Sequence, residues 1–361
     1  MVIPVNLGAR AYRIIVSSGG LLNVGRELAQ LRVGRRAALV SDPAILELHG
    51  APVREGMKTA GFDVTDIVLP VGEEAKTLDV ARRVWDLLLE AGCDRTSTVV
   101  ALGGGAVGDL AGFAAATYMR GINFVQVPTT LLGQVDASIG GKTAIDHPRA
   151  KNLIGAFHQP RFVMVDPAVL ATLPEREYRS GLAEVIKHGI VLDAAYFDDL
   201  EQSVSALLRR DLPTLERVVA GSCRLKASVV ERDEQEAELR HVLNYGHTIG
   251  HALEAATGYD RFTHGEAVSI GIAAEARLAE ILGIAKPDTT ARQMDLLRAV
   301  GLPVRGLATS PASVIDALGR DKKARDGRVP FVLAPEIGAF RLVFDAPREA
   351  VLAALEHVGR N

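Results

Sequence analysis

Arg240, Asn244, His247 and His251 follow one another at spacings of four, three and four residues. That periodicity sets all four on one face of a helix. A face that only meets water is usually Lys and Glu. This one is Arg, Asn and two His, with Gly246 and Gly250 beside them, which suits a face that holds something in place. His at i and i+4 is metal-ligand spacing, because both imidazoles can point at one centre. Glu184, in the segment Glu184-x-x-Lys187-His188, offers a carboxylate from a second helix. Two imidazoles and a carboxylate, with one position left open, make a catalytic zinc site. Spacing leaves the pairing open: His247 with His251, or one of them with the more distant His264. It also leaves open the plain alternative of satisfied helix histidines.

Two further stretches suit phosphate groups. Gly103, Gly105 and Gly108 form G-x-G-x-x-G between an expected strand, TSTVVAL, and an expected helix, LAGFAAATYM. In that context glycines let the backbone approach a pyrophosphate at a helix N-terminus. The motif departs from the usual dinucleotide fingerprint in lying on a late strand. Pro128, Thr129 and Thr130 stand where an acidic ribose acceptor is expected. Asp42 or Glu73, both at strand ends, could take that role instead. Residues 136–152, DASIGGKTAIDHPRAKN, read as a polar loop in which Lys142 and Lys151 are interleaved with Gly140 and Gly141. Small residues beside cations suit an anion.

The elements that must position these residues fall into two regions. Up to about residue 175, short apolar strands alternate with amphipathic helices, which argues for a parallel sheet covered on both faces. Ligands in such sheets bind at the carboxyl ends of the strands. Beyond that point nearly everything is helical in period to about residue 325, and a late hairpin follows at VPFVLAP and AFRLVFD. The expected fold is α/β, with a Rossmann-like domain at 1–177 and a mainly α-helical domain at 178–361.

The chain of 361 residues is long enough for two such domains. A net charge of −3, with no basic run, argues against a nucleic-acid partner. Apolar runs are interrupted before ~18 residues, so no membrane span is expected. Cys93 and Cys223 form no CxxC pair, and the N-terminus lacks a signal peptide's pattern. A cytoplasmic location is expected.

Taken together, GGGAVGDLAGFAAATYMRG, QVPTTLLGQVDASIGGKTAID, KNLIGAFHQP, GLAEVIKHG, LNYGHTIGHALE and THGEAV resemble the 3-dehydroquinate synthase family of the shikimate pathway. The resemblance covers nearly the whole chain. It implies an NAD- and divalent-metal-dependent homodimer, holding Zn2+ or Co2+. The implied reaction turns 3-deoxy-arabino-heptulosonate 7-phosphate into 3-dehydroquinate and phosphate, through transient oxidation, β-elimination, re-reduction and aldol closure.

The resemblance also assigns residues. Metal ligands fall on Glu184, His247 and His264, leaving His251 as a proton carrier. NAD contacts fall on Asp42, the turn Gly72, Glu73, Glu74 and Lys76, and the run Gly105, Ala106, Val107, Gly108 and Asp109. Further NAD contacts fall on Thr129, Thr130, Lys142, Lys151 and the stretch Val169, Leu170, Ala171 and Thr172. Lys226, Arg240 and Asn244 correspond to substrate-carboxylate contacts. Lys142, Asn152, one of Lys322 and Lys323, and Arg120 from the neighbouring copy correspond to phosphate contacts. Asp136 and Lys187 correspond to groups that hold the ring hydroxyls.

Three competing readings stand beside this one. A cyclase making an inosose or a valiolone is expected to differ at the carboxylate contacts, and Arg240 and Asn244 are both present here. A metal-dependent alcohol dehydrogenase of related fold would release NADH and would not need two phosphate lysines. A nucleotide-sensing regulator would be expected to lack a member of the Glu and His set.

Overall fold

The computed structural model describes residues 1–318 and 329–359. It divides into two compact units. One is Met1–Leu173 with Leu215–Gln235, and the other is Pro174–Thr214 with Glu236–Asn361.

The first unit is built on a seven-stranded sheet. Its strands are β1 (Val2–Val5), β2 (Tyr12–Val16), β3 (Arg36–Ser41), β4 (Asp63–Val68), β5 (Thr98–Gly103), β6 (Asn123–Pro128) and a last strand, Phe162–Val165. Between β6 and that last strand, β7 (Lys142–His147) and β8 (Ala150–Phe157) form a separate antiparallel hairpin, so the last strand is β9. The order across the sheet is β1-β2-β9-β6-β5-β3-β4, parallel throughout except for β1 against β2.

Successive β3 residues serve opposite faces. Ala38 and Val40 pack with Val84, Leu88, Leu110 and Ala114, while Ala37 and Leu39 pack with Leu28, Val53 and Met57. Helices therefore cover both faces, and the strands carry apolar runs where a half-exposed strand would alternate. From β3 the chain moves outward to β4 and then returns to β5 on the other side of β3. The sheet's switch point lies between β3 and β5, where ligands of open parallel sheets bind beyond the strand ends.

The second unit is helical, with the antiparallel pair β10 (Phe331–Leu333) and β11 (Arg341–Val343) that the sequence led us to expect. Its site-bearing helices are Glu175–Leu192, His247–Ala256 and His264–Ile281. No helix among the described residues is long and apolar enough to cross a membrane.

Three expectations change. The segment Leu215–Gln235, expected in a contiguous second domain, belongs to the first unit. Its side chains explain why. Glu216 accepts from the Ser18 N–H at 3.0 Å, Cys223 Sγ donates to the Gln134 carbonyl at 3.3 Å, and Lys226 is held by Asp136. Helical period says nothing about which partner a helix packs on.

The expected loop at 136–152 is largely the β7–β8 hairpin, bulged between Ile145 and His147, with Asn152 at a φ of 53°. Finally, Arg240 and Asn244 do not share a helix with His247 and His251. They lie in a short turn, Leu239–Asn244, and Gly246 at a φ of 77° breaks the chain before the histidine helix starts.

Candidate metal centre and nucleotide site

In the second unit Glu184 sits in the middle of its helix and is fully buried. The Lys187 ammonium lies against it and donates to the Leu243 carbonyl at 2.7 Å. His247 Nε2 approaches Glu184 Oε1 to 3.3 Å, and His264 Nε2 approaches it to 3.7 Å.

The other ring nitrogen fixes how His247 is protonated. Its Nδ1 faces the Tyr245 carbonyl at 3.1 Å. A carbonyl only accepts, so Nδ1 carries a proton and donates it there, which leaves Nε2 as the nitrogen that faces the carboxylate. A buried carboxylate ringed by an ammonium and two imidazole nitrogens is a place built for positive charge.

His251 completes the cluster. The rings of His247, His251 and His264 stand 5.2, 5.2 and 5.8 Å apart, and one ligand atom from each lies within 4.8 Å of the others. Four donor side chains thus converge on one small volume.

Local structure explains the convergence. His264 opens its helix directly after Thr263, whose side chain accepts the Glu266 N–H at 3.3 Å while Glu266 accepts the Thr263 N–H at 2.8 Å. This reciprocal capping box fixes where the helix begins. Arg176 holds Glu266 from the Glu184 helix at 2.6 Å. Next to His264, Gly265 has no room for a side chain: a Cβ would stand 2.0 Å from the Ser180 carbonyl oxygen.

The electrostatics agree with the geometry. Burial pushes Glu184 up, but Lys187, His247 and His264 outweigh it and hold the carboxyl well below its ordinary value. Burial would lower His264, yet Glu184 and Glu254 raise it to about 10. In the metal-free chain a proton thus occupies the place that a cation suits. Glu254, 3.6 Å from His264 Nδ1, was not among the sequence candidates. The signal for it was present in the stretch LNYGHTIGHALE, because Glu254 follows His251 by three residues and shares its face.

In the first unit the candidate nucleotide residues gather beyond the carboxyl ends of β3, β4, β5, β6 and β9. Asp42 follows β3 and caps the next turn, accepting the Ile45 N–H at 3.0 Å. Gly72, Glu73 and Glu74 form a turn after β4. Gly105, Ala106, Val107, Gly108 and Asp109 open the helix Gly105–Thr117 after β5. Thr129 and Thr130 follow β6, and the Thr129 N–H donates to the Gly103 carbonyl at 2.9 Å. Val169, Leu170, Ala171 and Thr172 lie in the turn Pro167–Thr172 after β9.

The three glycines of the motif are not equivalent. A Cβ at Gly103 would collide with Val107 at 2.8 Å, and one at Gly108 with Gln126 at 2.6 Å, so both serve packing. A Cβ at Gly105 would meet only Ala137, at an ordinary 3.5 Å. Packing therefore does not require Gly105, and its bare backbone leaves room for close approach by a ligand.

Lys76 ties the turn, the helix and the hairpin together. It donates to Asp109 at 2.9 Å, bonds the Asn152 side-chain carbonyl and lies 3.5 Å from Glu73, which Lys151 also approaches at 3.7 Å. Burial opposes the Lys76 charge, but Asp109, Glu73 and Asp146 outweigh it and raise its pKa. Lys226 donates to the backbone and carboxylate oxygens of Asp136, both at 2.6 Å. Lys142 and Arg120 are exposed, and Arg120 sits in a turn at a φ of 68°. Arg240 is 2% exposed, and Asn244 lies 3.5 Å from Glu236. Lys322 and Lys323 lie outside the described residues.

A cation fits the second unit, where a buried carboxylate and three imidazoles bring their donor atoms together, a donor set suited to zinc. A dinucleotide fits the first. The bare Gly105 backbone opens a helix N-terminus there, and the nearby buried Thr129 hydroxyl has no hydrogen-bond partner.

An α/β unit with this topology joined to a helical unit is the fold of the sugar-phosphate cyclases. A solved structure of that class, the 2-epi-5-epi-valiolone synthase ValA of Streptomyces hygroscopicus subsp. jinggangensis 5008 with NAD+ and Zn2+ bound, superposes with a TM-score of 0.88. It is 30% identical, over 96% of each chain. Within the class, the chain belongs to the 3-dehydroquinate synthase family. The family's N-terminal model matches residues 66–180 and its C-terminal model residues 181–324. The 3-dehydroquinate synthase of Geotalea uraniireducens is 51% identical over 94% of each chain. That of Pelotomaculum thermopropionicum is 52% identical over 93% of this chain and 91% of its own.

Proposed function

We infer that this protein is a 3-dehydroquinate synthase, a phosphate-eliminating carbon–oxygen lyase that converts 3-deoxy-arabino-heptulosonate 7-phosphate to 3-dehydroquinate and phosphate. The observation that carries the reading is the convergence of the His247 and His264 Nε2 atoms, at 3.3 and 3.7 Å, on the fully buried Glu184 carboxylate, in a chain of this family.

Glu184, His247 and His264 hold a divalent ion, Zn2+ or Co2+, and His251 stands next to it as a proton carrier. NAD is held by Asp42, the Gly72–Lys76 turn, Gly105–Asp109, Thr129, Thr130, Lys151 and the Val169–Thr172 turn. When bound, the metal supplies a Lewis acid and NAD supplies a hydride acceptor that later returns the hydride.

The remaining residues position the substrate. Lys226, Arg240 and Asn244 bind its carboxylate, Asp136 and Lys187 its hydroxyls, and Lys142, Asn152 and one of Lys322 and Lys323 its phosphate. Charged donors at both ends hold one conformer, and such positioning contributes roughly 7–11 kcal/mol when the geometry is correct. Elimination needs no strong protein base, because the substrate's own phosphate can take the proton.

The enzyme acts in the cytoplasm as a homodimer to which Arg120 contributes across the contact. Leu153, Ile154 and Phe157 of β8, and Met119 beside Arg120, are large exposed apolar side chains, as a buried subunit contact requires.

The test is phosphate release from 3-deoxy-arabino-heptulosonate 7-phosphate with NAD and zinc, compared with a sugar phosphate lacking the carboxylate. Release from the first alone supports the reading, and release from the second alone assigns the chain to another cyclase. Arg240→Ala should then lower efficiency on the natural substrate by one to two decades, since a charged hydrogen bond contributes about 1.5–3 kcal/mol.

A further inference from the structure

We propose that Glu275 is a positioning residue of the metal site: its carboxylate caps, from a different helix, the segment that presents His247 and His251. The proposal rests on the reading above that His247 is a ligand.

The helix His247–Ala256 begins without a side-chain cap of its own, because the residue before it is Gly246. The N–H groups of a first turn have no partner inside their helix. Glu275, fully buried on the helix His264–Ile281, supplies one from outside. Its Oε2 accepts the Gly246 N–H at 2.7 Å and its Oε1 the Ile249 N–H at 3.3 Å. An ionised acceptor is favoured at this end of a helix by the helix dipole.

Glycines make that reach possible. A Cβ at Gly271 would lie 1.9 Å from the Gly246 carbonyl oxygen, and one at Gly246 would lie 2.5 Å from Ile272 Cγ1. The two segments touch backbone to backbone, and the side chain one turn beyond Gly271 lands on the first turn opposite.

The residues on either side are also held. Tyr245 donates its hydroxyl to Gln293 Oε1 at 2.6 Å, and its carbonyl accepts from the His247 Nδ1–H. That hydrogen bond to the Tyr245 carbonyl orients the His247 ring. Glu275 sets where the helix begins and therefore where Nε2 points. The same helix carries His264 at its first residue, so Glu275 links the two histidine-bearing segments.

The experiment compares Glu275→Gln, Glu275→Asp, His247→Ala and Leu297→Ala with the parent chain. Zinc dissociation constants are read by chelator competition, melting temperatures are measured metal-free, and kcat is measured at saturating zinc. Glu275→Gln keeps the shape but turns an N–H toward one of the two donors. We expect it to weaken zinc binding 10- to 100-fold, with kcat recovering once zinc saturates. Glu275→Asp should fall between it and the parent, and serves alone should the Gln variant not fold. Leu297→Ala empties a buried position on the helix Pro287–Ala299, and should lower the melting temperature without changing zinc affinity.

An unchanged zinc constant in both Glu275 variants overturns the proposal, as does an equal loss in Leu297→Ala. His247→Ala separates the two levels. If it binds zinc like the parent, the metal assignment itself fails. If it abolishes binding while the Glu275 variants do not weaken it, only the role of Glu275 fails.

Discussion

Gly265 and Ser180 meet so closely that a single added methyl group would stand 2.0 Å from the Ser180 carbonyl oxygen. Ser180 lies one turn before Glu184, and Gly265 directly follows His264. Their contact therefore sets the separation between a carboxylate and an imidazole that the sequence places far apart. Gly265→Ala should push the two helices apart, at an overpacking cost of about 1–3 kcal/mol. We expect a lower melting temperature together with loss of bound zinc, measured by calorimetry and elemental analysis. Full zinc occupancy in Gly265→Ala would show that this contact does not set the ligand spacing.

The cluster distinguishes three histidines by their surroundings. His247 and His264 face Glu184, and the His251 ring stands beside both of theirs. Replacing Glu184, His247 or His264 by Ala should remove zinc and activity together. His251→Ala should keep zinc and lose turnover. Elemental analysis of each variant decides the matter, and zinc lost from His251→Ala but kept by His264→Ala would reverse the ligand assignment.

Protonation of His264 gives a pH signature. Its folded value of about 10 lies above the ordinary histidine value near 6.5, because Glu184 and Glu254 favour its charged form over the opposing effect of burial. A raised value means that its contribution is complete below about 6.5 and is lost as pH rises through about 10. The metal-free melting temperature should therefore fall between pH 7 and pH 10. On the proposed ligand assignment zinc takes the place of that proton, so the fall should be smaller in the zinc-loaded protein. Parallel pH curves for the two forms would argue against His264 as the shared point.

Much of this was legible in the sequence. Apolar strands such as TSTVVAL alternating with amphipathic helices announced a sheet covered on both faces, and the polar turns after them marked the strand ends where the candidate nucleotide residues gather. Glu184 and the three histidines stood out by residue type alone. What was not legible depended on single backbone positions and on partners far along the chain. Helical spacing ran straight through Gly246, where a positive φ ends the turn bearing Arg240 and Asn244. The segment 136–152 looked like a loop because its polar residues conceal the alternation of a hairpin exposed along one strand. Nothing in the period of Leu215–Gln235 reveals that it packs on the sheet-bearing unit. Glu254 and Glu275 look like ordinary helix acids until the histidine rings and the bare first turn are placed beside them.

The central claim is that NAD is used and regenerated within each turnover while phosphate is eliminated. The most direct measurement supplies 3-deoxy-arabino-heptulosonate 7-phosphate in large excess over NAD with the zinc-loaded protein, following released phosphate and the NADH absorbance together. We expect many phosphates released per NAD with no net growth of the NADH band. NADH accumulating in step with product, and turnover stopping once NAD is spent, would contradict the account and make the protein a dehydrogenase.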